Sequence, residues 1–393
     1  MKVQEMKPGV YWVGAVDWDL RNFHGYLTQR GSTYNAYLIV DKKTVLVDTV
    51  KKPFFDEMLS RIRSVLDPAQ IDYIVSNHVE MDHSGSLPGM VDLNPSVTII
   101  TSPNGKKGLI SHFKRDWNLT VVNTGESLEI GTRTLVFTLT PMVHWPDSMV
   151  TYIPEEKLLL PNDAFGQHIA TPERFDDEVS LDITMEEAAK YYANIVLPYG
   201  EQVQKALSAL GGLDIQMIGP SHGIIWRTHI DRIVKAYHKW AANETDPRAL
   251  IVYDTMWGST EMLAQHLRES LESEGTMVKM RSLRTNHISD IMADVLNSKL
   301  ILIGSPTLNN GMLPTVGAFL TYLKGLRPLN RIGFAFGSYG WGGQAVKEIE
   351  AIMAGLKWDV PFPALNAKWR PDDEMLQLAG ERGKELARIL REN

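Results

Sequence analysis

Asn77-His78-Val79-Glu80-Met81-Asp82-His83-Ser84-Gly85 places four metal-ligand residue types within six positions, directly after the strand-like run Ile71–Ser76. Packing His78, Glu80, Asp82 and His83 so closely costs free energy unless a cation balances their charges. A regular strand would send the adjacent Asp82 and His83 to opposite faces. A loop leaving the strand is therefore expected, turning all four toward one cavity. Working outward, three more ligand types follow strand-like or apolar segments: His144 in Pro141-Met142-Val143-His144-Trp145, Asp163 in Pro161-Asn162-Asp163-Ala164-Phe165-Gly166, and His222 in Gly219-Pro220-Ser221-His222-Gly223. Loops at strand ends are where layered α/β domains carry their sites. One such residue beside a glycine reads as a turn; beside the dense run, the set reads as a metal site. Imidazole mixed with carboxylate suits iron or manganese and leaves zinc open.

The chain has no cysteine. That excludes disulfides, thiolate zinc sites, cysteine nucleophiles and cysteine-ligated iron–sulfur centres. Any metal must be held by His, Asp and Glu, and any electrons by an organic cofactor or a non-thiolate metal. At 393 residues the chain is too long for one core, which predicts two domains. A composition of 44% hydrophobic and 22% charged residues, without a biased tract, excludes a disordered or collagenous protein. Lys+Arg number 40 against 47 Asp+Glu, a net charge of -7, and no basic stripe interleaves with aromatics, so no nucleic-acid surface is expected. Apolar runs such as Leu300–Gly304 fall far short of the roughly 18 residues needed to span a bilayer. Met1–Gly9 lacks an apolar signal-peptide core. A cytoplasmic protein without a membrane partner is the expectation.

Two halves are expected to part within the polar run Asn243–Arg248, giving domains 1–246 and 247–393. In the first, Tyr34–Val40 and Thr44–Asp48 read as a hairpin about Asp41-Lys42-Lys43. Pro53–Leu66 reads as a helix, because Phe54, Met58, Ile62 and Leu66 recur four apart. Further strands are predicted at Val97–Thr101, Arg133–Thr138 and Met149–Ile153, and helices at Met185–Val196 and Gln202–Leu210. In the second, the apolar runs Ala249–Tyr253, Met277–Met280, Leu300–Gly304 and Ile332–Phe336 alternate with helical stretches at Glu261–Leu271, Thr315–Leu323, Gln344–Ala354 and Asp373–Leu390. That alternation predicts a doubly wound parallel sheet.

Three loops of the second half each follow a predicted strand: Thr255-Met256-Trp257-Gly258-Ser259-Thr260, Ser305-Pro306-Thr307-Leu308-Asn309-Asn310-Gly311, and Ser338-Tyr339-Gly340-Trp341-Gly342. Hydroxyls and backbone N–H groups where a helix begins make an anion site suited to a phosphate. The first loop contains no Lys, so it is not a Walker A loop. Taken alone, its Ser and Thr are equally well helix caps. In the other two loops glycines allow close backbone approach to a planar ring, while Tyr339 and Trp341 offer stacking faces. The three together resemble the ligand loops of a flavodoxin domain, and the resemblance implies FMN.

The first half resembles the metallo-β-lactamase-like fold, whose hallmark loop is His-x-His-x-Asp-His with later His, Asp and His ligands. Glu80 stands where hydrolases of that fold usually carry the second His. This departure, with Asn162-Asp163-Ala164-Phe165-Gly166-Gln167-His168, is similar to the flavodiiron proteins in their two-domain A-type arrangement. The implied fold is an α/β pair: an N-terminal metallo-β-lactamase-like αββα sandwich followed by a C-terminal flavodoxin-like doubly wound sheet. The resemblance assigns His78, Glu80 and His144 to one iron, Asp82, His83 and His222 to the other, and makes Asp163 the bridge. Some members of the family depart at the position of His83. Three carboxylates and a bridging hydroxide balance two Fe(II) ions and leave a diferric pair at a charge of only +2. His24 and Tyr191 match positions near the metals, where they could donate hydrogen bonds or protons; a satisfied buried polar residue is the alternative for each.

The activity implied is an oxidoreductase that passes electrons from an external donor through FMN to a non-heme diiron site, reducing O2 to water or NO to N2O. The resemblance also implies a head-to-tail homodimer or a dimer of dimers. Without cysteine, a fused rubredoxin module is not expected, so a separate rubredoxin or a reduced F420-type donor would supply the electrons. Two alternatives stand beside this: a zinc-dependent hydrolase of the metallo-β-lactamase fold with an accessory flavodoxin-like domain, and an electron carrier with a vestigial metal site.

Overall fold

Tyr37-Leu38-Ile39 and Val45-Leu46-Val47 alternate between two buried surfaces, and that alternation builds the first layers of the molecule. The computed structural model describes residues 3–392. They form two compact units, one from the residues up to Tyr191 together with Glu201–His238, the other from Tyr192–Gly200 and from Lys239 onward.

The first unit contains a mixed sheet ordered as it occurs in the chain: β1 (Gln4–Lys7), β2 (Val10–Trp12), β3 (Tyr37–Val40), β4 (Thr44–Val47), β5 (Tyr73–Ser76), β6 (Thr98–Thr101) and β7 (Leu119–Val121). A second sheet runs β8 (Ser127–Glu129), β9 (Thr134–Leu139), β10 (Met149–Ile153), β11 (Leu158–Leu160) and β12 (Met217–Ile218). Tyr37, Ile39, Val45 and Val47 meet Leu135, Phe137, Met149 and Leu158 in the core between the sheets. Leu38, Leu46, Ile74 and Ile99 face the other way, onto Met58 and Ile62 of α1 (Phe55–Arg63), Met90 of α3 (Leu87–Leu93) and Leu109 of α4 (Pro103–Phe113). On the far side, Leu159 and Ile218 share a cavity wall with Leu207 and Leu210 of α6 (Gly200–Leu210) and Val234 of α7 (Ile230–Ala241). This is the αββα sandwich.

The second unit is a parallel sheet in the order β14 (Met277–Ser282), β13 (Asp246–Tyr253), β15 (Ser298–Leu308), β16 (Ile332–Tyr339), β17 (Leu365–Lys368). Counted within the unit that is 2-1-3-4-5, the flavodoxin-like winding. Ala249, Ile251 and Tyr253 pack on Leu263, Leu267 and Leu271 of α8 (Ser259–Ser273) and on Leu386 and Leu390 of the last helix (Asp373–Glu392).

Four local expectations change. Tyr34–Val40 is not one strand. Tyr34 ends the small ladder Ser32–Tyr34 and Tyr37 starts β3, because buried Asn35 breaks the run to donate to the carbonyls of Pro220 at 2.8 Å and Gly223 at 3.0 Å. The helix expected over Pro53–Leu66 is shorter, a 3-10 turn at Lys52–Phe54 followed by α1. The helix expected over Met185–Val196 is α5 (Leu181–Tyr191) followed by a π turn over Tyr192–Val196. Asp246-Pro247-Arg248 is strand rather than linker, since Asp246 pairs with Ser298 and Arg248 with Met277. The units therefore do not part between Asp246 and Pro247, which lie within β13.

Candidate metal centre and flavin cleft

β5 delivers His78 and Glu80 on the loop that follows it, while Asp82 and His83 lie on α2 (Met81–Ser84), a single helical turn rather than the expected loop. His144 follows β9, Asp163 follows β11 and His222 follows β12. The seven residues come together as two groups. Ligand atoms of His78, Glu80, His144 and Asp163 lie within 4.8 Å of one another, and so do those of Asp82, His83 and His222. Asp163 faces both: its Oδ2 is 3.0 Å from His144 Nε2 and 3.6 Å from His78 Nε2, and its Oδ1 is 3.0 Å from His83 Nε2 and 3.4 Å from His222 Nε2. All are buried except Glu80 and His144, which are partly exposed.

The electrostatics fit cations. Burial alone would raise the Asp82 and Asp163 carboxyls, but the charge on His83 and the histidines near them hold both below the ordinary carboxylate range. Burial likewise opposes charge on His78, yet Asp147, Glu80 and Asp163 raise it well above the usual imidazole value. His83 is pushed up to about 9, Asp82 and Asp163 outweighing burial. Charge on His78 and His83 thus offsets the carboxylates, a role a metal ion would take over. Both oxygens of Asp82, Oδ1 of Asp163 and both ring nitrogens of His83 are buried without a hydrogen-bond partner. Orphaned donor atoms converging from oxygen and nitrogen ligands are what a dimetal site requires.

Supporting groups not singled out from the sequence surround these ligands. His78 Nδ1 lies 2.9 Å from Asp147 Oδ2, and His222 Nδ1 lies 2.7 Å from the carbonyl of Thr33. His168 is fully buried, with Nδ1 2.7 Å from Ser32 Oγ and its ring 4.9 Å from that of His222. Its spacing five residues after Asp163 was the available signal; Asp147 and Ser32 carried none. His24 Nε2 is 3.4 Å from Glu80 Oε1, on a side chain 76% exposed. Tyr191 is buried with its ring 6.0 Å from that of His222. None of His112, His229, His238, His266 or His287 joins a metal-ligand cluster among the described residues.

In the second unit the loops after β13, β15 and β16 enclose a cleft of about 750 Å³. It is lined by Met256, Trp257 and Ser259 of the first loop, Pro306-Thr307-Leu308-Asn309-Asn310 of the second and Ser338-Tyr339-Gly340-Trp341-Gly342 of the third. Five expected residues stand behind the wall instead. Thr255 Oγ1 accepts the Gly258 N–H at 3.1 Å, and Gly258 takes φ +86 to open α8. Thr260 Oγ1 is 2.9 Å from Ser338 Oγ, Ser305 Oγ accepts the Leu313 N–H at 3.0 Å, and Gly311 packs toward Glu348. Met262, Trp369 and Arg370 line the cleft without having been expected. Trp369 follows β17, whose polar sequence Leu365-Asn366-Ala367-Lys368 gives little strand signal. The Trp369 N–H donates to the Tyr339 carbonyl at 2.7 Å, and a Cβ on Gly340 would meet the Trp369 ring at 2.8 Å.

Comparison with known proteins agrees with this architecture. Residues 33–223 match the family described as ODP family beta lactamase, and residues 251–383 match flavodoxin. The chain is 47% identical over 385 residues to a protein of Moorella thermoacetica named nitric oxide reductase, covering 96% of each. It is 42% identical to the rubredoxin-oxygen oxidoreductase of Megalodesulfovibrio gigas, covering 100% of this chain and 99% of that one. The structure of the flavodiiron protein from Giardia intestinalis superposes with a TM-score of 0.97 at 36% identity, covering 99% of this chain and 97% of the other. With its two ligand groups meeting at Asp163 and its cleft on a flavodoxin-type sheet, the chain belongs to the flavodiiron protein family.

Proposed function

We propose that the protein is an oxidoreductase that takes electrons from an external donor into FMN and delivers them to a non-heme diiron site where O2, NO or both are reduced. The observation that carries this reading is the split of Asp163, whose two carboxylate oxygens face different ligand groups. When bound, FMN supplies electron transfer and the iron pair supplies reduction of O2 to water or of NO to N2O.

The chain's own residues do the rest. His78, Glu80 and His144 would hold one iron, Asp82, His83 and His222 the other, and Asp163, which faces both groups, would serve both. Three carboxylates would offset three of the four charges of a reduced pair, and burial of five of the seven residues would keep bulk water from the ions. His24, close to Glu80 and largely exposed, is placed to carry protons between solvent and the site. The Tyr191 hydroxyl stays protonated, because burial raises it well above the ordinary phenol value and Asp163 adds to the effect. As a neutral hydroxyl it can donate a hydrogen bond toward the site. In the second unit, Ser259 at the start of α8 would take the FMN phosphate, and Tyr339, Trp341 and Trp369, which line the same cleft, would offer stacking faces to its ring. Trp257 and Trp341 are 95% and 89% exposed, which suits a docking donor or a second copy arranged head to tail. A rubredoxin or a reduced F420-type carrier fits the donor's role, consistent with the relative named rubredoxin-oxygen oxidoreductase.

Metal and flavin analysis after anaerobic purification tests the reading. It expects about two iron and one FMN per chain; two zinc and no iron would replace it with the hydrolase reading.

A further inference from the structure

The histidines of the two ligand groups are supported from behind in different ways. His78 Nδ1 meets a carboxylate, Asp147 Oδ2, at 2.9 Å, while its Nε2 faces Glu80 and Asp163. The same Asp147 oxygen accepts the Val79 N–H at 2.8 Å. Asp147 is only 3% exposed, and its backbone carbonyl accepts the Ser102 hydroxyl at 2.6 Å. The Trp145 ring stands edge-on to His78 at 4.9 Å and closes the remaining side. In the other group, His222 Nδ1 meets a neutral carbonyl, Thr33 O, at 2.7 Å, and His83 Nδ1 is buried without a hydrogen-bond partner. Among the described residues, the ion pairs of His83, His144 and His222 all involve carboxylates of the ligand set itself.

A carboxylate behind a ligating imidazole does two things. It fixes the tautomer, so that the Nε2 lone pair is the one offered to the metal, and its charge makes the ring a stronger donor. A carbonyl does the first and much less of the second. We propose that Asp147 is a positioning residue for His78 and makes the His78–Glu80–His144–Asp163 group the tighter of the two metal sites, the one that fills first with a divalent ion. This rests on the dimetal reading of the site given above.

Because both hydrogen bonds land on one oxygen, Asp147→Asn keeps an acceptor in place for His78 and Val79 and removes only the charge. Asp147→Ala removes acceptor and charge together. The test titrates metal-free, FMN-containing protein with Co(II) under anaerobic conditions and follows the ligand-field absorption. Wild type is expected to bind two ions in resolved steps. Asp147→Asn should weaken the first step by about 10- to 100-fold, with the second step and the melting temperature of the metal-free protein unchanged. Asp147→Ala should weaken it further. A purely geometric role would leave Asp147→Asn like wild type, and that result overturns the proposal.

A second measurement uses wild type alone, should the variants not fold. At one equivalent of Zn(II), ¹⁵N-resolved NMR of the histidine rings should show His78 and His144 bound while His83 and His222 remain free. Filling in the opposite order overturns the proposal. Uptake of fewer than two Co(II) ions by wild type overturns the dimetal reading itself, and this inference with it.

Discussion

Asp48 shows how a residue that touches no metal decides where ligands stand. Fully surrounded by protein at the end of β4, it accepts the Asn77 N–H at 2.8 Å and the side-chain amides of Asn77 and Asn162 at 3.1 Å each. Those asparagines immediately precede His78 and Asp163, so one carboxylate ties the segment that carries His78, Glu80, Asp82 and His83 to the loop that carries the shared Asp163. Removing it leaves several buried donors unpaired, which costs about 3 kcal/mol. Asp48→Ala should therefore lose roughly that much unfolding free energy and retain less than the wild-type iron, as chemical denaturation and metal analysis would show. Asp41, at the β3–β4 turn, gives the pH counterpart. Burial would raise its carboxyl, but hydrogen bonds from Thr132 and Lys42 and the charge of Arg133 bring it down to about 2. A carboxyl depressed in the folded state stabilises above its unfolded value near 4 and loses that contribution as pH falls through about 2. Asp41→Asn should cost about 1 kcal/mol at neutral pH, with the gap closing on acidification. A gap that stays constant with pH contradicts the assignment.

At the level of elements, the packing between the two sheets of the first unit rests on large residues such as Phe137, fully buried at the middle of β9. Phe137→Ala should cost about 3–5 kcal/mol, read as a shift in the denaturation midpoint. In the second unit, Gly337 pairs with Ser305 across β15 and β16, and a Cβ there would lie 2.2 Å from the Ser305 carbonyl. Gly337→Ala must separate the strands that carry two of the cleft loops. It should weaken FMN retention along with stability; unchanged FMN affinity would show that the cleft does not depend on this approach.

These elements also explain what the sequence disclosed. Continuous apolar runs in β3, β4, β13, β15 and β16 are local signals, so these strands were legible. β1, β2 and β11 are too short to show a pattern, and the two-residue β12 is held by β11, distant in sequence, which no window reveals. The seven candidate ligands, which the fold brings together in two groups, could be picked out because ligand chemistry restricts residue type. Asp147, Thr33 and Trp369 were not, because support from behind requires only an acceptor, a backbone carbonyl or a flat ring in the right place. Thr260 and Ser305 bond to protein rather than line the cleft for a related reason: hydroxyls beside a glycine-rich loop serve strand and helix ends as readily as a ligand.

For the whole molecule, each unit carries one redox site, so ligand removal should act unit by unit. A ligand present at a thousandfold excess over its Kd stabilises the form that binds it by about 4 kcal/mol. Chelation should lower the melting temperature of the transition that belongs to the first unit, and removal of FMN that of the second, as calorimetry with each ligand restored in turn would show. The division of labour itself is tested most directly by anaerobic stopped-flow on the chain with its FMN reduced, comparing wild type with Asp163→Ala. Wild type should reoxidise its flavin rapidly on mixing with O2 or NO. Asp163→Ala should keep FMN and accept electrons normally, yet reoxidise only at the slow rate of flavin alone. Reoxidation at the wild-type rate in Asp163→Ala would contradict the account, because the reduction of the gas would then not take place at the metals.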